Sequence, residues 1–96
     1  MINHEERRET KRHQMAVPVD FGRGKGISRD ISFTGIYFTT KEPLEPGEPL
    51  KLAFELDYAI PGKALQLDCK GYVLRVEQLK DAYGIAARFD EVNYLH

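Results

Sequence analysis

The chain has 96 residues, of which 42% are hydrophobic and 30% charged, and its formal net charge is −1. This composition suits one globular domain and excludes both whole-length disorder and two separate cores. The near-neutral balance disfavours a general nucleic-acid coat, and no apolar run approaches the ~20 residues that span a bilayer. Neither nucleic-acid binding nor membrane insertion is therefore expected.

The N-terminus, Met1 to Glu6, is acidic and lacks an apolar stretch, so it does not read as a signal peptide. The lone Cys69 excludes an internal disulfide framework, and its strand-like setting predicts a buried, inert thiol. A reducing compartment, the cytoplasm, is the expected location.

Residues 1–13 read as a flexible arginine-rich arm and residues 14–96 as the folded unit. His4 to His13 contains no apolar residue and has nothing to bury. From Met15 to Phe21 the period becomes two, which predicts a strand, with Pro18 confined to an edge or bulge. Gly22 to Gly26 reads as a turn and Ile27 to Ile31 as a strand. A tight Phe33-Thr34-Gly35 corner follows. Ile36 to Thr40 is rich in aromatic and β-branched residues and predicts a further strand.

The prolines of Glu42 to Pro49 exclude a helix interior and predict a loop. Leu50, Leu52, Phe54 and Leu56 alternate cleanly with polar or small residues. After a turn at Ile60 to Lys63, Leu65, Leu67, Cys69, Gly71 and Val73 share one face. Leu74 and Val76 fall on the other face, which predicts a mid-strand shift, with Gly71 the expected bend or bulge. Tyr83 to Phe89 closes the series, and Asp90 is placed to cap at most a short helical turn starting at Glu91. The fold class predicted is all-β, a small antiparallel barrel or sandwich of six strands.

Little here supports catalysis. His4, His13 and His96 lie at the chain ends, no spacing resembles a zinc site, and the Gly22–Gly26 run lies between strands rather than before a helix. No catalytic residue, metal ligand or cofactor is expected.

Positive charge is local: Arg7, Arg8, Lys11 and Arg12 cluster within the arm, which suits a small anionic ligand better than a long polyanion. Guanidinium groups suit bidentate contact with phosphate or a guanine edge. Asp30, Ser32 and Gly35 supply a carboxylate, a hydroxyl and a glycine at short fixed spacing. Each half alone has a plainer account. The arm reads as a solvated charged segment, and Asp30 to Gly35 as a turn held by side-chain-to-backbone bonds, with Ile31 and Phe33 in the core.

The two halves together are more specific. Arg7-Arg8 with Arg12, followed by Asp30, Ser32 and Gly35, resembles the paired motifs of the PilZ family. Gly71 to Arg75 and Tyr83 to Phe89 are similar to its later strands. The resemblance runs from about Glu6 to Phe89 and implies a six-stranded β-barrel that binds cyclic di-GMP. It implies that Arg8 and Arg12 grip phosphate and the guanine O6/N7 edge, and that Asp30 accepts from the guanine N–H donors. Ser32 would bond a base or phosphate oxygen, and Gly35 would let the chain turn sharply under the ligand. Arg7 would help to hold a second, stacked ligand molecule.

The expected function is that of a stand-alone receptor that relays cyclic di-GMP to an effector protein by ordering the arm, with a homodimer left open. Two alternatives stand beside it. One is a barrel that binds single-stranded nucleic acid through Tyr37, Tyr58, Tyr72 and Tyr83. The other is a protein-interaction module without a ligand.

Overall fold

Alternating burial turns this chain into a closed sheet. In the computed structural model, which describes residues 12–60 and 63–95, Leu50, Leu52 and Phe54 point inward and are at most 6% exposed. Their counterparts on the neighbouring strand, Leu67 and Cys69, are equally buried, and each pair sits at matched register. Burying one face of every strand fixes the register, because a one-residue slip would turn the whole apolar set to solvent.

Seven strands result: β1 (His13–Gln14), β2 (Pro18–Asp20), β3 (Lys25–Ile31), β4 (Gly35–Thr40), β5 (Pro49–Ile60), β6 (Lys63–Gln78) and β7 (Tyr83–Leu95). All pairings are antiparallel. The ring runs β3-β2-β5-β6-β7-β4 and closes through β3–β4, giving a six-stranded barrel with β1 added along the end of β3. No helix occurs among the described residues. The interior is filled by Val19, Phe21, Phe38, Val73 and Ile85, with the Phe21 and Phe38 rings 5.5 Å apart.

The expected six-stranded antiparallel barrel is the fold. Three local expectations change. The strand expected over Met15 to Phe21 shrinks to β2, Pro18–Asp20, with β1 ending before Met15, because the buried Ser28 hydroxyl binds the chain between the two strands. It donates to the Met15 carbonyl at 2.7 Å and accepts from the Val17 N–H at 2.9 Å. A helical start at Glu91 does not form: β7 continues to Leu95, paired with the first half of β6. Ladder bonds to β6 satisfy a backbone that a single isolated helical turn would leave unpaired. Finally, Arg12 and His13, assigned to the arm, lie on the barrel, with His13 opposite Ile31.

Two bulges set which residues face outward. Ser28 pairs with Phe38 and Asp30 with Tyr37, so Arg29 is an extra residue on β3. Strict alternation through Ser28-Arg29-Asp30, with no bulge, would point Asp30 into the core. With the bulge Ser28 and Ile31 both face inward, and Asp30 lies on the outer surface. On β6, Val73 pairs with Ala87 and Arg75 with Ala86, so Leu74 is the extra residue and stands 47% exposed. This is the mid-strand shift expected there. The same insertion returns Val76 to the core side and directs Arg75 outward. A further irregularity lies at Lys70/Gly71, where the bend was expected.

Candidate functional site: a charged bed on the barrel wall

The β3 bulge brings the two sequence motifs into contact. Arg12 Nη1 lies 2.6 Å from Asp30 Oδ1, in a charge-assisted hydrogen bond. Arg12 is 63% exposed and Asp30 26%, so the pair sits at the surface, where a ligand can reach both groups. Arg7 and Arg8 lie outside the described residues.

Ser32 and Gly35 form the corner beneath. The Ser32 hydroxyl accepts from the N–H groups of Thr34 and Gly35, each at 3.2 Å, and the Ser32 N–H donates to the Gly35 carbonyl at 2.9 Å. Ser32 is 8% exposed, so in this structure its oxygen organises the turn. Gly35 is required for a different reason from the sharp turn expected. It has no positive φ, but a Cβ there would come within 2.5 Å of the Ala87 carbonyl oxygen. Only glycine lets β4 approach β7 so closely. Phe33, a core residue in the turn account, is 71% exposed.

Register extends the site across the sheet. Asp30 lies opposite Tyr37 on β4, Tyr37 opposite Ala86 on β7, and Ala86 opposite Arg75 on β6. Beside this row, Gly35 lies opposite Arg88. These residues, with Arg12, Thr34 and Leu74, line a shallow depression of about 300 Å³. Gly35 and Ala86 form a low floor, and Arg12, Arg75 and Arg88 stand around it. Such a bed is cationic, with one carboxylate, chemistry that suits a phosphorylated purine. Sequence reasoning had no role for Arg88, Arg75 or Arg29. Their joint placement depends on two bulges, of which the residues signalled only the phase conflict at Leu74.

A second concavity opens at the barrel end. It is lined by Met15, Phe33, Phe54, Leu67, Phe89 and Val92, with a volume of about 120 Å³. Its walls are almost wholly apolar, so it does not suit an anion. Cys69 borders it. The thiol is 1% exposed, and burial, with a smaller contribution from Asp68, pushes its pKa up to about 11. The thiol is therefore protonated and unreactive at neutral pH, as its sequence setting predicted.

Comparison with known proteins now bears on the arrangement. The PilZ domain model matches residues 5–94. The chain belongs to the PilZ domain family. PilZ domains are known as receptors for cyclic di-GMP, and their role is regulatory rather than catalytic. Among solved structures, the chain is similar to that of the Bacillus subtilis inhibitor of motility, MotI/DgrA. The TM-score is 0.78 at 19% identity, over 97% of this chain and 49% of that one. The likeness is one of fold, and the chain spans about half the length of that protein. No curated protein matches the sequence.

Proposed function

We propose that this PilZ chain is a receptor for cyclic di-GMP and relays its presence to a separate effector protein through the N-terminal arm. The observation that carries this reading is the meeting of Arg12 and Asp30, 18 positions apart in sequence, at the rim of the cationic bed. Arg12 supplies a planar fork for phosphate or for the guanine O6/N7 edge, and Asp30 supplies acceptors for the guanine N–H donors. Arg7 and Arg8, carried by the motif resemblance, complete the guanidinium set. Ser32 and Gly35 hold the corner on which Asp30 is presented.

The signal follows from competition. In the free protein Asp30 neutralises Arg12. A ligand phosphate draws Arg12, with the preceding residues, onto the bed, while the guanine takes over Asp30. Ordering the arm reduces the net affinity, but it changes the surface offered to a partner. Salt weakens binding less steeply than for DNA, because only two phosphates take part.

Titration of the purified chain with cyclic di-GMP, with GTP and a single-stranded oligonucleotide as controls, tests this reading. Saturable binding of cyclic di-GMP alone supports it. A gel shift with the oligonucleotide and none of the calorimetric signal with the dinucleotide would favour the single-stranded nucleic-acid barrel instead.

A further inference from the structure

The end of β7 outruns the barrel. β4 accompanies β7 only as far as Gly35, opposite Arg88, and the Phe89 N–H still donates to the Thr34 carbonyl at 2.8 Å. Beyond that corner β7 keeps β6 on one side, with Glu91 to Leu95 in unbroken register with Lys70 to Gln66. Among the described residues no strand pairs with its other side. A free edge of this kind offers unpaired N–H and C=O groups to any strand that can lie beside it. The usual means of blunting such an edge are missing from residues 91–95. They include no proline and no lysine, and the irregularity that leaves Asp90 unpaired ends before them.

The two faces of this segment differ. The Asn93 carboxamide donates to Glu91 Oε2 at 3.0 Å, so these two side chains share the outer face. Val92 lines the apolar concavity at the barrel end. Tyr94, opposite the buried Leu67, lies on that same face and is 50% exposed. A fitting occupant brings a strand with free backbone groups, apolar side chains for one face and no acid opposite Glu91. The same segment of a second copy meets all three conditions. Antiparallel pairing about a two-fold axis at Asn93 sets Val92 against Tyr94 of the second copy, and Tyr94 against its Val92, aromatic with β-branched on the apolar face. It sets Glu91 against Leu95 of the second copy. The two Glu91 residues then stand ~14 Å apart, whereas in-register parallel pairing would put them side by side.

We propose that residues 91–95 of β7 are a dimer interface, joined edge to edge with the same segment of a second copy, so that β5, β6 and β7 of the two barrels form one continuous sheet. The inference uses none of the groups of the receptor reading and is independent of it. The contact is short, so the dimer is weak and concentration-dependent.

Sedimentation velocity of the wild type over a concentration series reads the assembly, and disulfide cross-linking reads the register. The two Asn93 residues face each other across the axis at ~5 Å between Cα atoms, within disulfide reach. Asn93→Cys should therefore form a covalent dimer under mild oxidation. Glu91→Cys, displaced along the pair, should not, and the buried Cys69 thiol stays out of both reactions. Tyr94→Lys, at an exposed position, should keep its thermal midpoint and weaken self-association by about 10-fold. A wild type that is monomeric at every concentration overturns the proposal and leaves the edge to a strand of another protein. A dimer that Tyr94→Lys leaves intact, or in which Asn93→Cys cross-links no faster than Glu91→Cys, overturns it as well by putting the contact elsewhere.

Discussion

The Arg12 guanidinium and the Asp30 carboxylate are joined at 2.6 Å, although they are 18 positions apart in sequence. The contact exists because Arg29 is inserted into β3 and turns Asp30 outward, and because β1 runs beside that end of β3. A backbone irregularity of one residue thus creates the carboxylate side of the site.

An exposed ion pair of this kind contributes ~0–1 kcal/mol to folding. Arg12→Ala should therefore leave the thermal midpoint of the free protein within a few degrees of wild type. The same change removes a contact to a bound phosphate, and truncations of that type cost ~2–5 kcal/mol of binding. Melting curves and titrations on one preparation would show the two effects separating.

Ser28 is the stability counterpart of this site. It is 1% exposed, and its hydroxyl satisfies both the Met15 carbonyl and the Val17 N–H. Ser28→Ala leaves these two groups without that partner and should destabilise the fold by ~2 kcal/mol in urea unfolding. The release of β1 from β3 should also speed amide exchange at Met15 to Val17.

The glycines of β6 and β7 divide by what they face. A Cβ at Gly71 would run into the Arg88 carbonyl oxygen, which is backbone and cannot move aside. Gly71→Ala should cost ~3 kcal/mol or more, by forcing β6 and β7 apart. A Cβ at Gly84 meets chiefly the end of the Tyr37 side chain, whose hydroxyl donates to Glu77. Gly84→Ala should displace that ring from Glu77 at ~1 kcal/mol and keep the barrel. Chemical denaturation of both variants checks the order.

Cys69 gives a pH dependence with a definite sign. Its folded pKa of about 11 lies above the ordinary 9.0, so the unfolded chain loses the thiol proton first. The contribution is fully present below pH 9 and is lost as pH rises through about 11. The stability difference between wild type and Cys69→Ala should shrink over that interval. At neutral pH the native thiol should resist a disulfide reagent that labels the urea-unfolded chain at once.

Much of this was legible in the residues. Alternation at Leu50 to Leu56 and at Leu65 to Val73 marks strands with one buried face, and the barrel follows from several such strands. Asp30 was legible as a candidate through its motif, although not the reason it faces outward. Strict alternation places Asp30 inside, and only the pairing partner on β4 reveals that Arg29 is supernumerary. Ser32 was legible as a residue of the corner, where its bonds to Thr34 and Gly35 are local in sequence. Arg75 and Arg88 were not legible as residues of the candidate site, because strand register 40 to 60 positions away from Asp30 decides where they stand. The strand end of β7 was hidden for a similar reason. Asp90 offers a good helix cap, and pairing with β6 overrides it.

The most direct test of the central claim is isothermal titration of the wild type and of Arg12→Ala with cyclic di-GMP at one salt concentration. The receptor account predicts saturable heat with the wild type and affinity at least 30-fold weaker in the variant, the low end of losing such a contact. Equal affinity in the two proteins, or no heat with the wild type at high ligand concentration, would contradict it.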